Sequence, residues 1–192
     1  MRPDLLHRAT VAKARKLLRR SLFLVFTLII TVAAGLPVFV HPQVDTLRRA
    51  DAILILSGPH HGRYPFGFDL AEQGWAPNLV VSNPSGTDNP RLTRYCADPH
   101  PGLTVYCFAP DPATTKGEAR ELHRLASEHA WRTVIVVTFW PHVSRSRYIL
   151  EKCFDGELVM VPNPTPISVR RWAFEYLYQT AGYVRALLQP GC

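Results

Sequence analysis

From residue 50 onward, short apolar runs alternate with longer mixed stretches. The runs are Ala50–Leu56, Asn78–Ser82, Leu103–Phe108, Arg132–Phe139 and Leu158–Val161. They are rich in Val, Ile and Leu without strict alternation, the pattern of strands buried on both faces of a parallel sheet. Between and after them, the spacing predicts helices over Arg63–Trp75, Thr115–His129, Ser144–Cys153 and Arg170–Leu188. Trp172, Leu177, Ala181, Val184 and Leu188 give the last of these an apolar stripe, expected to pack on the domain. Its aromatics have grazing of a membrane surface as a second role. Asn83–Gly102, punctuated by Pro84, Gly86, Pro90, Pro99 and Pro101, is expected as a long binding loop or lid. Strands alternating with helices at crossover spacing predict a parallel, doubly wound α/β sheet.

One run differs from the others in length. Ser21–Val40 holds no charge and matches the span a helix needs to cross a bilayer. Residues 1–20 carry Arg2, Arg8, Lys13, Arg15, Lys16, Arg19 and Arg20 against Asp4, a net +6 of the chain's +7. The basic leader predicts a cytoplasmic N-terminus and places everything after residue 40 outside the plasma membrane. The organisation expected is a basic segment 1–20, an anchor 21–40, a tether 41–49 and an extracytoplasmic domain 50–192. A cleaved signal peptide with Val32-Ala33-Ala34 at its end is the competing reading, but the apolar core is long for one and the leader extended. With only +1 left for the remaining residues, a general polyanion surface is excluded, and nucleic acid is not an expected partner.

Cys96, Cys107, Cys153 and Cys192 all follow the apolar run. An even number outside a membrane permits disulfides, and four cysteines allow three pairings. Closure of the Pro-rich loop favours Cys96–Cys107, which leaves Cys153–Cys192. No C-x-x-C occurs, so neither a zinc ribbon nor a thioredoxin-like site is supported.

Candidate chemistry gathers after the fourth run, where His142, Ser144, Arg145 and Arg147 crowd one strand end. Open α/β sheets bind ligands outside the carboxyl ends of their strands. An imidazole beside guanidiniums suits an anion, with His142 as a ligand or acid/base group and Arg145 as a charge clamp. Thr138 ends the same strand. Ser57-Gly58 follows the first strand, where glycine lets backbone amides approach a ligand, and Arg63 lies within reach. Ser82 ends the second strand. Thr115 and Glu118 match a capping box and also sit where a helix N-terminus faces the crevice. His60, His61 and His142 are a weak metal set, and no metal is expected because no short-spacing motif is present. G-x-S-x-G, Walker and G-x-G-x-x-G motifs are missing, so lipase, nucleotide-hydrolase and ordinary dinucleotide-binding readings lack their motifs, and the cofactor is left open.

These segments together resemble the YdcF, SanA and ElyC-like bacterial envelope proteins, some of them labelled vancomycin high-temperature exclusion proteins. The resemblance runs from Asp51 to about Val161. It rests on Asp51-Ala52-Ile53-Leu54-Ile55-Leu56-Ser57-Gly58, Arg63, Val80-Val81-Ser82, Thr115-Lys116-Gly117-Glu118, and Val137-Thr138-Phe139-Trp140-Pro141-His142-Val143-Ser144-Arg145-Ser146. Ser57, Gly117-Glu118 and Pro141 depart from the family pattern. The resemblance implies a Rossmann-like domain acting in cell-envelope or peptidoglycan biogenesis or barrier integrity. One member type is reported to bind S-adenosylmethionine, which is not carried over to a domain outside the membrane. The functional expectation is a membrane-anchored domain binding an anionic, phosphorylated envelope precursor. The alternatives are a hydrolase or transferase using His142, and a non-catalytic scaffold for envelope enzymes.

Overall fold

The structure, a computed structural model, describes residues 3–58 and 62–192. It divides into two compact units at Pro37/Val38. The first unit is helical. Helix α1 (Pro3–Gly35) continues into a π-helical stretch at Leu36–Val40, and Lys13–Val40 is long and apolar enough to cross a membrane, with an 18-residue stretch of mean hydropathy 2.5.

The second unit is a five-stranded, wholly parallel sheet with helices on both faces. In chain order its elements are β1 (Ala52–Ile55), α2 (Arg63–Glu72), β2 (Asn78–Ser82), α3 (Pro90–Ala97), β3 (Thr104–Phe108), α4 (Thr115–His129), β4 (Thr133–Thr138), α5 (Val143–Leu150), β5 (Glu157–Pro162) and α6 (Val169–Leu188). The strand order is β3-β2-β1-β4-β5. Ile53 of β1 sits in register with Leu79 on one side and Ile135 on the other. The β1 residues are fully buried because both faces are covered. Leu54 and Leu56 pack with Leu122 of α4 and Leu150 of α5, while Ile53 and Ile55 pack with Phe68 of α2 and Leu92 of α3. The chain steps from β1 outward to β3, then returns to the other side of β1 for β4. That reversal opens a crevice above β1 and β4, where ligands bind in such sheets.

Three expectations are corrected. The stretch Asn83–Gly102 is not all loop. Asn89 Oδ1 accepts from the Arg91 and Leu92 N–H groups, and Pro90 occupies the first turn, so α3 forms despite the surrounding prolines. Tyr95 of α3 stacks on Phe68 at 4.8 Å. The segment 41–49 is not a slack tether either. The Asp45 carboxylate accepts from Arg147 (2.6 Å) and from the Met160 N–H (2.8 Å), which binds it to the edge of β5. The third correction concerns α6. Its buried residues are Glu175, Gln179 and Ala186, whereas Leu177 and Leu188 of the predicted stripe are each 77% exposed. The polar side faces inward because it meets the arginines of the crevice, and the apolar side is left outward.

The sulfurs pair as Cys96–Cys107 and Cys153–Cys192. The first joins α3 to β3. The second joins the segment after α5 to the segment after α6, where Lys152 Nζ also donates to Ala186 O (2.6 Å) and Gln189 O (2.8 Å). Cross-linking Cys153 to Cys192, 39 positions apart, constrains the unfolded chain by about 4 kcal/mol on loop entropy, against about 3 kcal/mol for the separation of 11. Denaturant unfolding of the full chain in detergent should therefore show the larger loss for the double variant Cys153→Ala/Cys192→Ala. Equal losses for the two disulfides would contradict this ordering.

Candidate functional site

The reversal in strand order is occupied by a cleft of about 530 Å³. Its floor is Ser57 and Gly58 after β1, Thr115 and Glu118 at the start of α4, and His142 after β4. Arg63 and Arg145 stand at its sides. Helix α6 closes it with Tyr178, Gln179 and Gly182.

Each side chain is held by a definable contact. The turn after β1 needs a glycine: Gly58 has φ +135°, and a Cβ there would come within 3.2 Å of Arg63 Nη1. Arg63 is 1% exposed, and its Nη1 donates to the carbonyls of Leu56 (3.1 Å) and Ser57 (2.6 Å). Burial lowers its pKa, yet an arginine remains cationic. The same burial pushes the neighbouring Tyr64 phenol up to about 12, so it stays a donor, to Ser82 O at 2.9 Å.

Thr115 and Glu118 do not form the expected capping box. Thr114 is the residue before the helix, and it makes no side-chain cap. Glu118 instead reaches over to β1, where its Oε1 accepts the Ser57 N–H at 2.6 Å. Thr115 Oγ1 lies 3.4 Å from His142 Nε2. Gly117, one of the departures from the family pattern, is required here by packing. A Cβ would lie 2.9 Å from Asp111 backbone atoms in the loop crossing beneath α4.

His142 is fixed between two hydroxyls. Its Nδ1 lies 3.0 Å from Thr138 Oγ1, opposite the contact of Nε2 with Thr115. Ser146 Oγ donates back to His142 O at 2.9 Å. Burial, and then the positive charges of Arg145 and Arg63, hold this imidazole well below the usual histidine range. It is therefore neutral at pH 7, able to accept a proton or a hydrogen bond at one nitrogen while donating from the other. Arg145 extends into a relay on α6: its Nε donates to Gln179 Oε1 (2.8 Å), Gln179 Nε2 donates to Glu175 Oε2 (2.8 Å), and Glu175 Oε1 pairs with Arg171 (2.6 Å). Helix α6 approaches this closely because residue 182 is glycine; a Cβ there would sit 3.0 Å from Arg145 Nε.

The structure thus brings Ser57, Gly58, Arg63, Thr115, Glu118, His142 and Arg145 to one cleft. Thr138 lies behind His142 as its partner rather than on the wall. Ser82 is not on the wall either; it is fully buried beneath Tyr64. Ser144 and Arg147, counted in the polar cluster after β4, turn away. Ser144 Oγ donates to Val38 O (2.7 Å), and Arg147 pairs with Asp45. A helix starting at Val143 fans four successive side chains around its axis, so sequence proximity does not make them neighbours. His60 and His61 lie outside the described residues, and among those described no three His, Cys, Asp or Glu side chains group as a metal would need. Sequence reasoning missed Gln179, Gly182 and Arg185 of α6. The spacing of Glu175, Gln179 and Gly182 along one helical face was the available signal. Comparison with protein-family models, curated proteins and solved structures found no match to the chain.

A buried neutral histidine has a consequence for stability. The unfolded chain binds a proton at this residue near pH 6.5, whereas the folded chain resists it, so stability is complete above that pH and falls below it. The slope attributable to one such group reaches about 1.4 kcal/mol per pH unit. Unfolding free energies of the full chain and of His142→Gln, measured from pH 7.5 to 4.5, should show a shallower acid loss in the variant. Parallel profiles would mean that His142 takes up its proton in the folded state.

Proposed function

We propose that the cleft binds a phosphorylated, anionic small molecule or lipid-linked precursor of the cell envelope, in a domain carried outside the plasma membrane by α1. The observation that carries the reading is the set of groups above β1 and β4. Two guanidiniums, Arg63 and Arg145, flank an uncharged imidazole within a cleft of about 530 Å³. Arg63, Lys116, Arg145 and Arg185 oppose Glu118 and Glu175 on its walls, a net +2. Both carboxylates are already engaged, Glu118 by the Ser57 N–H and Glu175 by Arg171 and Gln179. The positive end of α4 adds to the field at Thr115 and Lys116. A phosphate in this place gains a bidentate partner in Arg145 and a hydrogen bond from His142. Its charge also favours protonation of the imidazole, so binding and proton uptake are linked.

The two disulfides suit an oxidising compartment, and the basic leader before α1 suits an N-terminus on the cytoplasmic side. The segments resembling the YdcF, SanA and ElyC-like proteins carry the assignment to envelope biogenesis. They include the residues that meet at the cleft: Ser57-Gly58, Arg63, Thr115, Glu118, His142 and Arg145.

Hydrolysis or transfer is the second reading, and the contact between Thr115 Oγ1 and His142 Nε2 favours it. The hydroxyl is placed to give its proton to the imidazole, and Thr138 is placed to orient the ring. A screen with phosphate-ester and acyl substrates decides between the two: turnover lost in both His142→Gln and Thr115→Val supports catalysis.

Thermal unfolding of the full chain in detergent, with sugar phosphates and polyprenyl phosphates in separate arms, tests the binding reading. At a concentration of 100 times Kd the stabilisation is about 2.7 kcal/mol, roughly 5–10 °C in a domain of this size. It should grow from pH 8 to pH 6 and disappear in Arg145→Gln. Unchanged melting in every arm would refute the binding site, while a response to polyprenyl phosphates alone identifies the lipid-linked source.

A further inference from the structure

Helix α6 is amphipathic in the reverse sense for a helix packed on a domain. Glu175, Gln179, Gly182 and Ala186 occupy the side turned to the cleft. The opposite side carries Phe174 (51% exposed), Leu177 (77%), Val184 (50%), Leu187 (58%) and Leu188 (77%). An apolar stripe of this length is not an ordinary solvated surface. What covers it is indicated by three features.

The first is the position of the chain's exit from its apolar span. Val38, Phe39 and Val40 end the span and belong to the α/β unit. Ser144 Oγ donates to Val38 O, and Trp140 Nε1 donates to Val40 O at 2.8 Å. Phe39 packs edge-on against Tyr176 of α6, with ring centroids 5.3 Å apart. The residues that end the span are therefore held within side-chain reach of α6.

The second is charge. The single acidic residue of α6, Glu175, is buried and paired, so its exposed ionised groups are Arg170 and Arg185. Anionic headgroups attract such a surface, whereas pairing identical copies through it would bring like charges together. The third is the aromatic content. Trp172, Phe174 and Tyr176 lie in the first half of the helix, and Trp172 lines the same surface recess as Trp140 at the exit. Tryptophan and tyrosine with one apolar and one wet side are the residues of membrane interfaces.

We infer that the outer face of α6 is a lipid-docking surface, lying on the anionic headgroup and acyl boundary of the bilayer that holds α1. The inference rests on α1 being a membrane span, not on the identity of the ligand in the cleft. The helix is interfacial in type: apolar on one side, polar on the other, with cationic residues at the border.

A photo-reactive p-benzoylphenylalanine placed at Leu177 or Leu188 of the full chain, reconstituted in phosphatidylglycerol–phosphatidylethanolamine vesicles, tests this directly. The same probe at Phe26 reports the span, and at Glu128 on α4 it reports a solvent-exposed surface. Irradiation should give lipid adducts at 177, 188 and 26, at least five-fold above the yield at 128. Replacing phosphatidylglycerol by phosphatidylcholine should lower the yield at 177 and 188 several-fold while leaving 26 unchanged. Adducts of twice the chain mass would overturn the inference in favour of a second copy. Lipid adducts at 26 with none above background at 177 and 188 would overturn it while sparing the span, and none at 26 would remove both.

Discussion

The hydrogen bond from the Ser57 N–H to Glu118 is short, and it spans the place where the strand order reverses. Strand β1 ends at one side of it and α4, arriving from the far edge of the sheet, begins at the other. A parallel sheet leaves the crevice at such a reversal open by default, because the loops on its two sides run in opposite directions. Here a carboxylate ties them together. Arg63 then holds the carbonyls of Leu56 and Ser57 from below, so both the amide and the carbonyl groups of the turn are engaged by charged side chains. The cleft keeps its shape because its floor is built from charge-assisted bonds, which are shorter and stronger than neutral ones.

On that floor the remaining groups acquire roles that their identities alone do not give. His142 is an ordinary imidazole made neutral by burial and by two guanidiniums. Arg145 is oriented by Gln179, which is oriented by Glu175, which is matched by Arg171. Every link of that relay after the first belongs to α6, so the geometry of the cleft depends on a helix that joins no two strands of the sheet. The cross-link between Cys153 and Cys192 and the bonds of Lys152 secure its far end.

The sheet was legible because unbroken β-branched runs have few other uses, and the strand-end residues followed from it. Thr115, His142 and Arg145 could be placed together from topology before any distance was known. The helix at Pro90–Ala97 was hidden by prolines and glycines on both sides, although Asn89-Pro90 is itself a start signal. Ser144 and Arg147 were misplaced because adjacency along a helix scatters side chains by about 100° per residue. For α6 the period was right and the facing was wrong. A hydrophobic stripe tells which residues share a side, but it points inward only when the interior is apolar, and here the inner neighbour is a cationic cleft.

The inverted polarity of α6 joins two equilibria that otherwise have nothing in common. One side of the helix supplies Gln179 to the cleft, and the other presents Leu177 and Leu188 to whatever lies outside. A ligand that drew Arg145 out of its relay would loosen the hold on the helix, and a surface bound at the outer side would tighten it. Thermodynamic reciprocity makes the factor by which one event alters the other's affinity the same in both directions. If the cleft takes a ligand and the outer face lies on lipid, as proposed, occupancy of the one is linked to contact at the other through a single helix.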